Sequence, residues 1–545
     1  GGLGNDVIFG GSGADLLSGG DGDDQLFVDG AWDVVDGGAG TDRVRFETSL
    51  GLILDLSLWT GIERVDGAGG DDTLDGSSVF TSLILLGNSG ADTLLGGFES
   101  DQLQGGLGND ILNGGAKQDF LFGNAGDDTM IGGTGNDYAY VDSSGDVVDG
   151  GAGTDRVRID NASGLSVSLA GWSSVERVDG DAGDDVIDGS SFTTALVLLG
   201  NGGDDTLTGG SANDVIFGNA GDDTLVGNDG VDVLAGGTGA DVFSGGAGDD
   251  VIFVDDSGET VADGGSGLDR ARVEAGVFGL SLDISGWTGI ERVSLSAGDD
   301  VVTAAGSAED QVINGQDGAD TLTGGSGSDL IFGGAGDDTL TGGGGQDFLF
   351  GGTGADLFDG GAGDDFFYLD DAGDRVVDGG AGVDRAVLVK AGLSIAIDGS
   401  WTGLERIDGV AGAEAIDATG YASALTMLGN AGNDTLTGGL GDDVIFGHAG
   451  ADRLSGGAGG NDTLLGGGAD GFTDTFVFAD GAGTDRINDW EDGVDLIDVT
   501  AITGVTGFAD VTVDQSSGTN TVITAAAETI ILQGFIGTID QNDFV

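Results

Sequence analysis

Between Gly87 and Arg158 an aspartate falls at every ninth residue: Asp92, Asp101, Asp110, Asp119, Asp128, Asp137, Asp146 and Asp155. If two such units make one coil, Asp92, Asp110, Asp128 and Asp146 stack along one edge, and Asp101, Asp119, Asp137 and Asp155 along the other. Rows of carboxylates at strand spacing repel unless a cation lies between them. Carboxylate and backbone carbonyl oxygens, six or more at once, suit a hard ion such as calcium. Aspartate also favours solvated turns, but turn preference alone does not demand an unbroken period of nine.

The same spacing recurs along the chain and defines the candidate ligands. They are Asp6, Asp15 and Asp24; Asp92, Asp101, Asp110, Asp119, Asp128 and Asp137; Asp205, Asp214, Asp223, Asp232, Asp241 and Asp250; Asp320, Asp329, Asp338, Asp347, Asp356 and Asp365; and Asp434, Asp443 and Asp452. At roughly one ion per sixth-place acid they would hold about 20–30 calcium ions.

What positions these groups is a unit such as Gly105-Gly106-Leu107-Gly108-Asn109-Asp110-Ile111-Leu112-Asn113. Glycines crowd its first four places, Asp holds the sixth and an apolar residue the eighth, a solenoid repeat pattern. Six residues are expected to turn and three to form a strand whose central apolar side chain points inward. Two units then close one coil. Successive coils stack as parallel strands about 4.8 Å apart, with the apolar residues laddered between two facing sheets. The turn needs positive φ, which glycine adopts freely. Where the second place is not Gly it is often Asn (Asn88, Asn124, Asn201, Asn219, Asn228, Asn430) and once His448, and Asn and His are among the side chains that tolerate the left-handed region. The single histidine is therefore read as a turn residue rather than a catalytic one.

These units resemble the RTX (repeat-in-toxin) nonapeptides of the calcium β-roll family. The resemblance implies an all-β fold, a right-handed parallel β-roll or β-helix solenoid. It also implies calcium bound between successive turns, and export from a Gram-negative bacterium by type I secretion machinery.

Composition agrees and excludes. The 545 residues include 118 Gly, no Pro and no Cys, with a formal net charge of −80. That charge argues against nucleic acid, which calls for a basic footprint, and against attraction to anionic membranes. No run of eighteen apolar residues predicts a membrane span. Without cysteine, metal is left as the staple, and without calcium the self-repulsion should keep the chain expanded. No N-terminal signal peptide is visible, and Gly1 opens inside a repeat, as expected of a trimmed chain.

A longer period overlies the short one. Asp-Arg recurs at Asp42-Arg43, Asp155-Arg156, Asp269-Arg270 and Asp384-Arg385. Each is followed by Trp-x-x-x-Glu-Arg: Trp59/Glu63/Arg64, Trp172/Glu176/Arg177, Trp287/Glu291/Arg292 and Trp401/Glu405/Arg406. The expected organisation is a first repeat block (1–45), four superrepeats (46–158, 159–272, 273–387 and 388–470) and a C-terminal domain (471–545). Each superrepeat opens with an alternating, strand-like insert. The arginines are expected beside the acidic edge, where an ion pair replaces a cation, and the tryptophans inside a widened coil. Glu414, in place of Asp, and the irregular 295–314 stretch mark positions where ions are expected to be missing. In 471–545 the spacing changes, and antiparallel strands are expected around the turn Ser516-Ser517-Gly518-Thr519-Asn520. This part is similar to the capping domain of serralysin-type RTX proteins. Its end, Asp543-Phe544-Val545, resembles the acidic-plus-apolar tail of type I secretion substrates.

No enzyme is expected. One histidine excludes the two-His zinc motif, no cysteine nucleophile exists, and the glycine runs lack Gly-Lys-Ser/Thr. The composition is similar to that of calcium-dependent bacterial surface-layer proteins with RTX units. The expected function is a secreted structural subunit of a layer, filament or matrix that self-associates. The alternatives are a secretion and folding module of a larger enzyme or toxin, and an adhesin for which cell-surface polysaccharide is a candidate partner.

Overall fold

The computed structural model describes residues 1–46, 50–273, 279–468, 471–506 and 508–545. Apart from three single-turn 3-10 segments (Leu56–Leu58, Phe508–Asp510 and Gln541–Asp543), regular structure among these residues is strand. The chain divides into two compact units, Gly1–Arg270 and Ala271–Val545.

The regular blocks within the first unit show how the period works. Ile111–Ala116 pairs in parallel with Thr129–Thr134, and that with Val147–Ala152, aligning Leu112, Met130 and Val148. The intervening nonapeptides belong to the opposite sheet, where Gln102–Leu107, Phe120–Ala125 and Tyr138–Val141 align Leu103, Leu121 and Ala139. Nonapeptides thus alternate between two parallel sheets, and eighteen residues complete a coil. The eighth-place residues Leu94, Leu103, Leu112, Leu121 and Met130 are fully buried. They form the ladder that the spacing predicts, and the fold is the expected all-β parallel solenoid.

Strand length differs from expectation. In the middle of the longer blocks the strands run six residues rather than three, because the glycine pair stays in register: Gly115 lies opposite Gly133, and Ala116 opposite Thr134. In the last block they stay at three, as in Val444–Phe446. Beside an insert they stop at three, as in Thr93–Leu95 and Thr206–Thr208. The pairing needs glycine for space as well as for φ. A Cβ on Gly108 (φ +123°) would run into the Gly90 carbonyl of the neighbouring coil. Asn88, Asn124, Asn201, Asn219, Asn228, Asn430 and His448 all take positive φ, between 60° and 78°.

The inserts continue the solenoid with wider coils. Arg177–Asp179 pairs in parallel with Arg156–Ile159 on one side and Val197–Gly202 on the other. Trp59 and Trp172 turn inward, and their indole N–H groups donate to the carbonyls of Asp33 (3.1 Å) and Asp146 (2.8 Å). Trp287 and Trp401 are buried likewise in the second unit.

The arginines do not sit where expected. Arg43 and Arg64 converge on Asp66, Arg156 and Arg177 on Asp179, and Arg385 and Arg406 on Asp408. These aspartates lie on strands two residues beyond the second arginine, away from the edge stack. The reason is strand alternation: in Arg64-Val65-Asp66 the valine points inward, so arginine and aspartate share the outer face. The edge stack is prolonged instead by the glutamate of each mark. Oε2 of Glu63, Glu176 and Glu405 accepts the N–H of Asp42, Asp155 and Asp384 at 2.7–2.8 Å.

At the C-terminal end, Thr484–Ile487 pairs in parallel with Glu528–Leu532. Two antiparallel neighbours follow, Thr521–Ala525 and Val511–Asp514, as the turn chemistry predicts. The added strands cover a sheet edge that would otherwise expose its backbone groups. The tail is docked rather than free. Asp543 is buried, the Val545 N–H donates to the Ile497 carbonyl (3.1 Å), and the Phe544 ring lies 5.2 Å from that of Phe508.

Candidate metal centre

Each regular turn aims its aspartate along the stack. Oδ1 of one sixth-place Asp accepts the backbone N–H of the Asp one coil earlier. Asp110 receives from Asp92, Asp128 from Asp110 and Asp146 from Asp128, all at 2.7–2.8 Å; on the other edge Asp119 receives from Asp101, Asp137 from Asp119 and Asp155 from Asp137. The ladder holds the carboxylates of the regular turns in one orientation and leaves the second oxygen of most of them without a donor, Asp146 being an exception whose Oδ2 accepts from Asp142 and Ser143 N–H at 3.1 Å.

That second oxygen is buried and accepts no hydrogen bond in Asp15, Asp24, Asp92, Asp110, Asp119, Asp128, Asp137, Asp205, Asp223, Asp232, Asp241, Asp250, Asp320, Asp338, Asp347, Asp356, Asp365 and Asp434. Its surroundings are acceptors too. A Cβ placed on Gly105 would meet both Asp110 Oδ2 and the Gly123 carbonyl of the next coil, and one on Gly218 would meet Asp223 Oδ2 and the Gly236 carbonyl. A pocket whose walls are orphaned carboxylate and carbonyl oxygens, all acceptors, fits a hard cation. The oxygen-only donor set is the one calcium requires. Asp452 occupies the same ladder, its Oδ1 accepting from Asp434 N–H at 2.8 Å.

Five predicted positions differ. In Asp101, Asp214, Asp329 and Asp443 the second oxygen accepts the N–H of Gly97, Gly210, Gly325 or Gly439 at 2.6–2.7 Å. Their first oxygens accept from Leu83, Leu196, Gln311 and Leu425, in the insert. These loops border an insert coil without a Gly-Gly-x-Gly-x-Asp turn on one side; the carbonyl of the next coil is still in place, as Gly114 is for Asp101, but the loop's own N–H takes the second oxygen. Asp6 is similar, with Oδ2 accepting from Gly2 N–H at 2.7 Å. Asp119→Asn is therefore expected to lower the calcium stoichiometry of the folded chain by at least one ion. Asp101→Asn should leave that count unchanged. Counting ions by equilibrium dialysis separates the two, and equal losses would show that the glycine N–H yields to the ion.

Burial, opposed in part by the ladder N–H and reinforced by neighbouring carboxylates, pushes these groups up. Asp119 reaches about 8, Asp128, Asp205, Asp232, Asp241, Asp347, Asp356 and Asp434 about 7, and Asp92, Asp223 and Asp320 about 6. A divalent ion between the carboxylates supplies the charge that removes the penalty. Glu414 keeps its place in the ladder: its N–H donates to Asp434 Oδ1 at 2.8 Å, and its own Oε2 is buried without a partner.

The structure also places in the stack acids outside that set of candidate ligands, among them Asp146 and Asp155, which keep the nine-residue spacing. Asp42, Asp155 and Asp384 close their blocks with an orphaned second oxygen. At the last turn of each long block, Asp142 and Asp146, Asp255 and Glu259, and Asp370 and Asp374 share one loop. There burial and the carboxylates of Asp241 and Asp255 drive Glu259 up to about 10. The available signal was a Val/Leu-Asp-x-x-Gly-Asp/Glu sequence after each of these blocks, in place of Gly-Gly-x-Gly-x-Asp.

Of the comparisons with known proteins, a family match points the same way. No curated protein matches the chain. Among solved structures, the extracellular lipase LipA from Serratia marcescens is similar over 44% of this chain and 45% of its own, at 21% identity and a TM-score of 0.17. The match thus spans less than half of the lipase. The family described as RTX calcium-binding nonapeptide repeat matches residues 1–31, 13–44, 86–121, 122–157, 175–192, 199–234, 226–257, 305–340, 314–349, 341–376 and 428–461, together just over half of the chain. With ladders of orphaned carboxylates running through those same residues, the chain belongs to the RTX calcium-binding nonapeptide repeat family, whose repeats bind calcium and imply a secreted protein.

Proposed function

We propose that this protein is an extracellular structural subunit of a surface layer, filament or matrix, with no enzymatic activity in this chain, exported by type I secretion and folded by calcium outside the cell. The observation that carries the reading is a surface repeated in both units. On the outer face of one sheet, Phe122 stacks on Tyr140 (4.3 Å between ring centroids) and Phe120 on Tyr138 (5.2 Å). In the second unit, Phe332, Phe350 and Tyr368 stack in one row (4.9 and 4.0 Å), with Phe348 on Phe366 beside it (5.0 Å). These rings flank the inward Leu121 and Leu349, so alternation turns them outward, and they are only partly buried. Aromatic rows at equivalent repeat positions give two copies a common, self-complementary face, and stacked pairs contribute about 0.5–1.5 kcal/mol each beyond their area.

Calcium titration followed together by circular dichroism and negative-stain electron microscopy tests this. Ordered sheets or filaments should appear with the folding transition. Phe350→Ser with Tyr368→Ser should reduce assembly while keeping the calcium-induced strand signal. Chains that fold with calcium and stay monomeric at every concentration would favour a secretion and folding module instead.

A further inference from the structure

The turn that closes a block departs from the repeat. Aligned on Gly-Gly-x-Gly-x-Asp, it reads Val254-Asp255-Asp256-Ser257-Gly258-Glu259 in the first unit and Leu369-Asp370-Asp371-Ala372-Gly373-Asp374 in the second. An aspartate thus stands at the second place, where the repeat has glycine or a residue at positive φ. In each case it joins the sixth-place acid of its own loop and the sixth-place Asp of the coil before. Carboxylate oxygens of Asp241, Asp255 and Glu259 lie within 4.8 Å of one another, and so do those of Asp356, Asp370 and Asp374.

The first cluster is the more demanding. Glu259 is only 6% exposed, and neither of its side-chain oxygens has a hydrogen-bond partner. Asp241 is fully buried with Oδ2 unpartnered, and Asp255 Oδ1 is unpartnered as well. In the second cluster Asp374 still serves the ladder. Its Oδ1 accepts from Asp356 N–H at 3.1 Å, and its Oδ2 from Asp370 and Asp371 N–H at 2.9 Å, while Asp356 Oδ2 and Asp370 Oδ1 remain unpartnered. In the first cluster, by contrast, both oxygens of Glu259 are buried without a donor, and one of them lies within 4.8 Å of carboxylate oxygens of Asp241 and Asp255. Three converging carboxylates with no donor among them cannot all stay ionised and buried unless a cation joins them.

We propose that Asp241, Asp255 and Glu259 form a separate, carboxylate-rich site for one calcium ion, repeated at Asp356, Asp370 and Asp374, that binds more tightly than the nonapeptide sites and pins the closing turn of its block. Asp255 adds a full negative charge at a place where a repeat turn contributes only backbone. Calcium affinity rises with the number of charged ligands and the rigidity of the site. This inference rests on the calcium-binding reading of the repeats and adds a class of site to it.

The test is a calcium isotherm on the full chain, read by competition with a fluorescent chelator. Wild type should show a tight class of few ions ahead of a larger, weaker class. Glu259→Gln should remove one ion from the tight class or weaken it ~100-fold, while Asp232→Asn, on the opposite edge, should take its ion from the weaker class. Asp255→Asn, whose side chain lies outside the ladder, should repeat the Glu259→Gln result and serves if that variant fails to fold in saturating calcium. A folded Glu259→Gln or Asp255→Asn with the tight class intact would overturn this proposal alone, Asp232→Asn still losing its ion. So would a Glu259→Gln chain that folds without calcium more readily than wild type and binds as many ions, since Glu259 would then be a buried protonated acid. Wild type that binds no calcium at all would overturn this inference and the calcium-binding reading together.

Discussion

Chelating calcium at pH 7.5 should convert this protein from strand to coil, with loss of most of its far-ultraviolet β signal, and restoring millimolar calcium should return it. The expectation follows from magnitudes. A buried carboxylate without a partner costs several kcal/mol even after relaxation, and domains are stable by only about 5–15 kcal/mol. Three or four such groups would consume that margin, and both units carry more, in ladders such as Asp92–Asp110–Asp128 and Asp320–Asp338–Asp356. No disulfide is available to hold the chain, and its formal charge of −80 favours expansion. The apolar ladder is narrow, one residue such as Leu112 or Leu121 per nonapeptide, and its strength is a sum over neighbouring coils. A spectrum unchanged after exhaustive chelation would mean that the orphaned oxygens are satisfied by protons or monovalent ions, and the metal-coupled account would fail.

Acid should replace calcium in part. For the calcium-free chain the sign is set by the raised side-chain values. Asp119 near 8, and Asp128, Asp232, Asp347 and Asp434 near 7, bind protons more tightly when folded than at the ordinary 3.8 of an unfolded aspartate. A folded state that binds more protons gains stability as pH falls. That contribution is complete below about 3.8 and lost as pH rises through about 6 to 8. The chelated chain should therefore recover strand signal between pH 8 and pH 5, and light scattering should accompany the spectra because the charge falls toward the pI of about 4.1. With calcium present the same groups work in reverse: protons compete for the ligand oxygens, so ions should be released as pH falls through that window. A calcium-free chain equally unfolded at pH 5 and pH 8 would show that the carboxylates are not buried as the ladder requires.

How much of this could be read in advance depends on the residue. Asp119 and Asp101 occupy the same place in the same motif, yet only Asp119 keeps a free oxygen. The difference comes from what lies one coil away, a glycine turn in one case and an insert in the other. The arginine marks were visible, but their pairing with Asp66, Asp179 and Asp408 depends on which face of the strand each side chain takes. Asp255 stands at the second place of its turn, outside the count of nine, and Glu259, nine residues after Asp250, keeps the spacing but not the aspartate or the glycines that define the repeat.

What the chain determines by itself is everything that repeats: the coil of eighteen residues, the inward Leu and Ile ladder, the turns at Asn88 or His448, and the edge of acids that calls for calcium. These follow from local conformation and from a spacing that stacking copies without change. Tertiary structure alone decides which of those acids are left needing a cation. That choice turns on single hydrogen bonds between coils, such as Gly97 N–H to Asp101, and on carboxylates such as Asp241 and Glu259 that meet only when the coils are stacked.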